Sequence, residues 1–474
     1  MEIKLSDIAE HLSGQLIGQD SVVESVITDS RVAAKGALFV ALIGERFDAH
    51  DFCVEVSEAG CVALVVNAPQ ELPETVGQII VPDTLKALGE IGALCARLSI
   101  ARQVALTGSC GKTTTKEMLK LALQTQGIVH ATEGNLNNHI GVPLTLAALS
   151  EGDEFAVIEM GASGLDEIRY TVTMASPEVV MITNAHEAHL EGFGSLQNIV
   201  QAKGEIVRYA PDNARVVLNA DDPAFSDWYD MAGERDVIVF GNAFLSDKRV
   251  AHAVTLVSAT PFTVGRVGYD VEVLVDQELY RFQLHASGEH MVKNAMATLA
   301  VAVAMQLDIS QVLVGLSRFY PVKGRLAPVM KDDLTVWDDS YNANPGSVKA
   351  AISAVEVAAP DSERWLVLGN MAEMGDEAGS AHSAIGRYAA DHGITKVFAI
   401  GAFAKQVITG FEDGLKESSA STKNCTGTAY TKTDMDVLIS DLKDQVTGQK
   451  GLSVLVKGSR SAHMEDVVEA LIND

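Results

Sequence analysis

Residues 104–118 read Val-Ala-Leu-Thr-Gly-Ser-Cys-Gly-Lys-Thr-Thr-Thr-Lys-Glu-Met, and no other stretch restricts the fold as strongly. An apolar strand-like run ends at Thr107, a turn passes through Gly108, Ser109, Cys110 and Gly111, and Lys112 and Thr113 open a helical pattern. Phosphate binding needs this order of parts. Glycines let backbone N–H groups close around oxygens, the helix N-terminus adds a positive field, a lysine adds charge, and a threonine hydroxyl reaches a magnesium ion. Leu106 stands five residues before Gly111, where the strict phosphate-loop pattern has its first glycine. What remains is Gly-x-x-Gly-Lys-Thr, which an ordinary glycine turn ahead of a helix can also produce.

A chain of 474 residues exceeds one ordinary core, and its length suggests about three domains. With 47% hydrophobic and 21% charged residues it reads as a well-packed globular protein. The net charge of −27 argues against nucleic acid and anionic membrane surfaces as partners. Anionic small ligands stay open, because a glycine loop and a helix terminus create local positive potential within an acidic protein. The odd set of cysteines (Cys53, Cys61, Cys95, Cys110, Cys425) contains no Cys-x-x-Cys pair and suits free thiols in a reducing compartment. The N-terminus lacks a charged-then-apolar signal pattern, and no apolar run approaches the ~20 residues needed to cross a bilayer. The expectation is a cytoplasmic protein without membrane insertion.

The pattern along the chain is α/β. Residues 1–83 form a first unit with compact strand-like runs at 38–42, 62–66 and 78–81, closed by Pro82 and Asp83. Residues 84–315 alternate strand and helix, with strand candidates at 103–107, 154–159, 178–184 and 215–219, as a parallel sheet covered by helices requires. From 250 to 285 the alternation has period two, which predicts antiparallel strands set into that unit. Residues 316–474 alternate again, with strand-like runs at 335–338, 364–369, 396–401 and 452–458. The polar stretch 416–434 reads as a surface loop.

Glu159 closes the apolar run Phe155–Glu159, the place where a carboxylate holds or orients magnesium in a phosphate-loop domain. A strand-end acid facing solvent is the plain alternative. His186 and His189 follow another strand end with a spacing one residue short of a His-Glu-x-x-His zinc helix. Either histidine can ligate a divalent ion or serve structurally, and position alone does not choose between them. Lys203 by itself reads as a solvated surface lysine. Polar segments around 28–31 with 44–51, around 132–143 and around 338–347 occur one in each unit. Each suits sugar, phosphate or nucleoside binding, and each also suits capping and turn chemistry.

Taken together, Asp29-Ser-Arg, Leu38–Phe52, Thr107–Thr113, Gly134–Leu146, Ala188–Ser195, Ala202-Lys-Gly-Glu-Ile, Lys323-Gly-Arg-Leu, Asp339–Pro345 and Val456–Ser461 resemble the Mur ligases of peptidoglycan synthesis along nearly the whole chain. The resemblance implies a small α/β UDP-sugar domain (1–83), a central ATPase domain (84–315) whose parallel mononucleotide-binding sheet carries an antiparallel subsheet, and a C-terminal Rossmann-like ligase domain (316–474). It implies ATP and Mg²⁺ as cofactors, UDP-N-acetylmuramoyl-tripeptide and D-alanyl-D-alanine as substrates, amide formation through an acyl phosphate, and a monomer. By position, Thr107, Gly108, Ser109, Cys110, Gly111, Lys112 and Thr113 would hold the ATP phosphates, Asn294 the adenine, Asp339 the ribose and Arg325 the phosphates. Thr113, Glu159, His189 and a carbamylated Lys203 would serve the metal ions, and Lys112, Lys203 and His189 would be catalytic. Ser30, Arg31, Asp48, Asn137, Asn138, Tyr341 and Asn344 would contact substrate. Met291 and Asn370 stand where the family usually has Asn and Asp. A family member that adds a diamino acid is the nearest alternative, but its Asp-Asn-Pro-Arg motif is absent. A nucleotide switch is the alternative from another class, and it leaves the outer polar segments without a role.

Overall fold

Three main sheets, laid down in chain order, carry the molecule; the computed structural model describes residues 2–186, 190–242, 249–263, 267–417 and 425–473. The first sheet runs in the order Gln15–Ile17, Gly77–Ile80, Ala63–Val66, Ala37–Val40, Ser25–Ile27. All its pairings are parallel except that of Gln15–Ile17 with Gly77–Ile80. Ala37–Val40 and Ala63–Val66 are buried throughout, which is why they read as unbroken apolar runs. The helix Thr84–Leu98, capped by Asp83 on the Lys86 N–H at 3.0 Å, turns back and buries Ala87, Leu88, Ile91 and Cys95 against this sheet.

The central sheet has nine strands. Val237–Gly241, Arg215–Asn219, Val179–Ile182, Arg102–Thr107, Phe155–Glu159 and Val129–Ala131 lie side by side and parallel. Helices cover both faces. Lys112–Leu123, Glu289–Ala304 and Ile309–Leu316 pack on one, and Gly141–Ala147, Glu167–Ala175, Leu196–Arg208 and Phe225–Ala232 on the other. The period-two segment does form antiparallel strands, Gly268–Val275 and Glu278–Leu284, but Val250–Phe262 joins Val237–Gly241 in parallel and so extends the main sheet.

The third sheet runs Ala327–Lys331, Leu334–Asp339, Leu452–Lys457, Glu363–Leu368, Lys396–Ile400, Thr426–Tyr430, parallel apart from its first pair. Thr426–Tyr430 corrects the surface-loop expectation for 416–434. It is an edge strand, mostly exposed, so its polar Thr-rich sequence lacks the apolar run by which the inner strands are recognised. Residues 418–424 of that stretch lie outside the described residues. No helix among the described residues is long and apolar enough to cross a membrane.

Carboxyl ends of the parallel strands bring Thr107, Glu159, Asn184 and Asn219 to one edge of the central sheet, facing the edge of the third sheet that carries Asp339 and Lys457. Crevices at such edges are where open α/β sheets bind ligands. Trp228 fixes the helix that carries Lys203. Its ring is fully buried, packs beside Gly204, and donates from Nε1 to the Val200 carbonyl at 3.0 Å. Trp228→Ala is expected to cost about 3–5 kcal/mol in urea unfolding, mainly through the cavity it leaves. Trp228→Phe, which keeps most of the bulk but frees the Val200 carbonyl, should lose about 1–2 kcal/mol.

Candidate active site

The glycine turn folds as its sequence requires. Gly111 takes φ 82° and serves as N-cap of the helix Lys112–Leu123, and Gly108 takes φ 150°. A Cβ on Gly111 would meet Asn294 Oδ1 at 2.7 Å, so the loop and the carboxamide of Asn294 approach closely. The loop is clamped from beneath: Asn184 Oδ1 accepts the Cys110 N–H at 2.9 Å, and the Cys110 carbonyl accepts from Thr183 Oγ1 at 2.7 Å and Asn184 Nδ2 at 3.0 Å. Ser109 exchanges bonds with the main chain of His186. Lys112 curls back onto the Gly108 carbonyl at 2.6 Å, and burial lowers its pKa against the pull of Glu159.

Glu159 is 1% exposed. Its Oε1 accepts from Asn137 Nδ2 at 2.8 Å and Thr113 Oγ1 at 3.2 Å. Its Oε2 is buried and meets no hydrogen-bond donor among the described residues. A carboxylate oxygen so placed is costly unless a cation completes it, and with the threonine hydroxyl beside it the donor set is the hard-oxygen type that suits a magnesium ion. The fold therefore fits both a nucleotide phosphate on the loop and a divalent cation at Glu159.

Lys203 corrects the surface-lysine reading. On the helix Leu196–Arg208 it is 2% exposed, with Nζ 5.2 Å from the centre of the Phe193 ring. Burial and the charge of Lys112 push its pKa down to about 7, against the pull of Glu167 and Glu205. His189 lies outside the described residues.

The third unit supplies the opposite wall. Arg325 stacks over Tyr341, 4.0 Å from the ring centre, and its Nη2 donates to Thr113 Oγ1 at 3.2 Å. Asp339 meets Lys457 Nζ at 2.6 Å, and the same ammonium donates to the Asn342 carbonyl at 2.8 Å. The two residues are register partners at the ends of neighbouring strands. Burial pushes the Asp339 carboxyl above its ordinary range against the ammonium's pull. Between the walls lies a cleft of about 970 Å³ lined by Ser109–Thr113, Asn137, Asn138, Glu159, Asn294, Arg325, Asp339, Tyr341 and Asn344.

Other expected site residues are held elsewhere. Thr107 points inward, Oγ1 donating to the Met160 carbonyl at 2.7 Å, and neither it nor Gly108 lines the cleft. Ser30, Arg31 and Asp48 do not line it either. Arg31 pairs with Asp29 at 2.6 Å, and Asp48 caps the turn Ala49–Phe52 and meets His50 Nδ1 at 2.6 Å. Asn138 lines the cleft while its Oδ1 accepts the Ile140 and Gly141 N–H groups. Met291 is buried but lines the cleft near Asn294, and Asn370 Oδ1 accepts the Phe403 N–H at 3.3 Å. Sequence reasoning gave no role to Lys457, nor to the pair Lys293 and Asp221 at 3.1 Å in the same cleft. A charge closing an apolar strand just before a glycine was the available sign for Lys457.

A phosphate loop on one parallel sheet, facing a second unit that reaches across to it, defines a nucleotide-dependent enzyme with its cleft between the two. The Mur ligase middle domain matches residues 106–302 and the Mur ligase glutamate ligase domain residues 324–460. The chain belongs to the Mur ligase family and is an ATP-dependent ligase. It is 38% identical over 473 residues to the UDP-N-acetylmuramoyl-tripeptide–D-alanyl-D-alanine ligase of Escherichia coli (strain K12), covering 99% of this chain and 98% of that protein. The crystal structure of MurF from Acinetobacter baumannii superposes with TM-score 0.89 at 30% identity, over 100% and 99% of the two chains. That of the MurF ligase from Thermotoga maritima in complex with ADP gives 0.77 at 25% identity, over 95% and 97%.

Replacing Lys457 by Met leaves the Asp339 carboxylate buried without its cation and should cost about 3–5 kcal/mol at neutral pH. Because the fold raises the Asp339 pKa, its protonated form favours the folded state. The loss should shrink as pH falls from neutral towards the carboxylate range, as read by urea unfolding of the variant against the parent protein.

Proposed function

We propose that this ligase joins D-alanyl-D-alanine to UDP-N-acetylmuramoyl-tripeptide, forming the pentapeptide precursor of peptidoglycan with release of ADP and phosphate. The observation that carries the reading is the meeting of Lys112, Thr113 and the open oxygen of Glu159 with Arg325, which crosses from the opposite wall onto Thr113. Residues 1–83 act as the UDP-sugar domain, 84–315 as the ATPase and 316–474 as the closing ligase domain. The likeness over full length to ligases of that name supports the substrate pair. The enzyme acts as a cytoplasmic monomer.

In this reading the tripeptide's terminal carboxylate attacks the γ-phosphorus of ATP, and ADP leaves. The dipeptide amine then attacks the acyl carbon and phosphate leaves, the amine's proton passing to solvent or a nearby base. The backbone of Ser109–Thr113 and the ammonium of Lys112 hold the phosphates, and Arg325 offsets charge that builds as the phosphoryl group moves. Thr113, Glu159 and His189 would hold Mg²⁺, and the ion would supply charge neutralisation to the phosphates. Asn294 sits at the adenine end and Asp339 at the ribose. Closure by the third domain keeps water from a hydrolysable acyl phosphate. Ser30, Arg31 and Asp48 belong to the UDP end of the substrate, remote from the reacting atoms.

Lys203 is carbamylated in the active enzyme. An amine must be neutral to add carbon dioxide, and a lysine with a pKa of about 7 is half neutral near physiological pH. Phosphate release should need ATP together with both the tripeptide and the dipeptide. Full turnover with ATP alone would end the ligase reading in favour of a nucleotide switch. Lys203→Ala should lower kcat by about 10²–10³-fold, and added bicarbonate should not restore it. Near-normal rates in that variant would remove Lys203 from the mechanism.

A further inference from the structure

Across 234 residues of sequence, one polar side-chain pair joins the phosphate loop to the third sheet's first crossover helix. Asn344 Nδ2 donates to Cys110 Sγ at 3.2 Å, and the Cys110 thiol lies 3.6 Å from Asn344 Oδ1. Each partner is otherwise anchored in its own unit. The Cys110 peptide is held on both sides by Thr183 and Asn184 of the central sheet, which leaves its side chain to point outward. Asn344 is the N-cap of Pro345–Ala358 in a full capping box: its Oδ1 accepts the Ser347 N–H at 2.8 Å, and its N–H donates to Ser347 Oγ at 3.0 Å. The cap fixes the carboxamide so that its Nδ2 is the group directed at sulfur. Three residues along the loop from Cys110, Arg325 makes the second cross-cleft contact, on Thr113. The carboxamide of Asn344 is thus occupied by its cap and by a loop side chain.

We propose that Asn344 is a positioning residue that latches the third domain onto the phosphate loop through Cys110, so that the loop itself is the surface on which closure is registered. Closure then reaches the nucleotide site directly, because the clamped peptide of Cys110 lies between Gly108 and Gly111. A weak N–H···S contact of this kind is worth about a two- to fivefold shift in the closed population, enough to bias closure without preventing opening. The proposal rests on the ligase reading for its place in the reaction cycle, but the contact itself is made between protein side chains alone.

The test therefore starts on protein without substrates. Cys110 alkylation by iodoacetamide is followed by peptide mass spectrometry, with buried Cys53, Cys61 and Cys95 as internal references. Asn344→Ser keeps a side-chain cap on the helix but cannot reach sulfur. It should speed Cys110 alkylation about two- to fivefold while the reference thiols are unchanged. Activity provides the second readout. Asn344→Ser and Cys110→Ala should each lower kcat by a similar factor with little change in nucleotide KM, and the double variant should be no worse than either. Cys110→Ser, whose hydroxyl can still accept, should recover part of the loss. Equal alkylation rates in the parent and Asn344→Ser would overturn the latch, as would strictly additive losses in the double variant. Failure of the ligase reading would instead appear as turnover without the tripeptide or dipeptide, with the alkylation result unaffected.

Discussion

A carboxylate buried at the end of an apolar strand is tolerable only if its charge is met, and the cleft is arranged around that constraint at Glu159. Its N–H is bonded to Thr132 Oγ1, and the Thr132 carbonyl receives Lys116 Nζ from the phosphate-loop helix at 2.7 Å. The same helix sends Thr113 to one carboxylate oxygen, and the 132–143 segment sends Asn137 to it as well. Strand, helix and polar loop are tied together at one anion, and its second oxygen remains for a cation. Asn137, expected at the UDP-sugar, is directed to this carboxylate.

The charge balance of the whole chain sharpens the point. A protein of net charge −27 repels nucleotides at long range and must concentrate positive charge where it binds them. Lys112, Arg325 and Lys457 all line the cleft, with Lys203 buried behind it, and each is held by a defined neighbour. Arg325, in the bend just ahead of Ala327–Lys331, and Lys457, at the end of Leu452–Lys457, come from the third unit, so the positive wall is complete only while the two units face each other. In the proposed cycle, closure would then be an electrostatic requirement as well as a means of excluding water.

The elements easiest to read in the sequence were those whose burial is uniform. The inner strands at 37–40, 63–66, 155–159 and 452–457 are buried at every position, and each shows as an apolar run. The edge strand Thr426–Tyr430 could not be seen the same way, because most of its side chains face solvent. The parallel pairing of Val250–Phe262 was hidden for another reason: period-two alternation marks a half-exposed strand but not its neighbour's direction. Among site residues, Asp48 and Asn138 show why polar motifs are ambiguous. A side chain two residues ahead of a turn caps it with the same atoms that would bind a sugar, and here the caps are made. Lys457 was missed because its partner, Asp339, is 118 residues away and is brought to it by strand register alone.

Lys203 shows how burial changes what a residue can do. On sequence alone it is a helix lysine among polar neighbours, but the fold places its amine beside an aromatic ring and within the field of Lys112. Burial strips the ammonium of water and Lys112 opposes it with a second charge, which is why its pKa falls to about 7. Shedding the proton removes the repulsion. In the proposed mechanism, adding carbon dioxide to the freed amine would go further: the side chain would become an anion, and the repulsion from Lys112 would turn into attraction. In the proposed reaction that anion would stand near a crowd of phosphates, where it is useful only as a partner for a cation. The depressed pKa and the proposed carbamate therefore follow from one placement, a long basic side chain closed behind the phosphate loop within the field of Lys112.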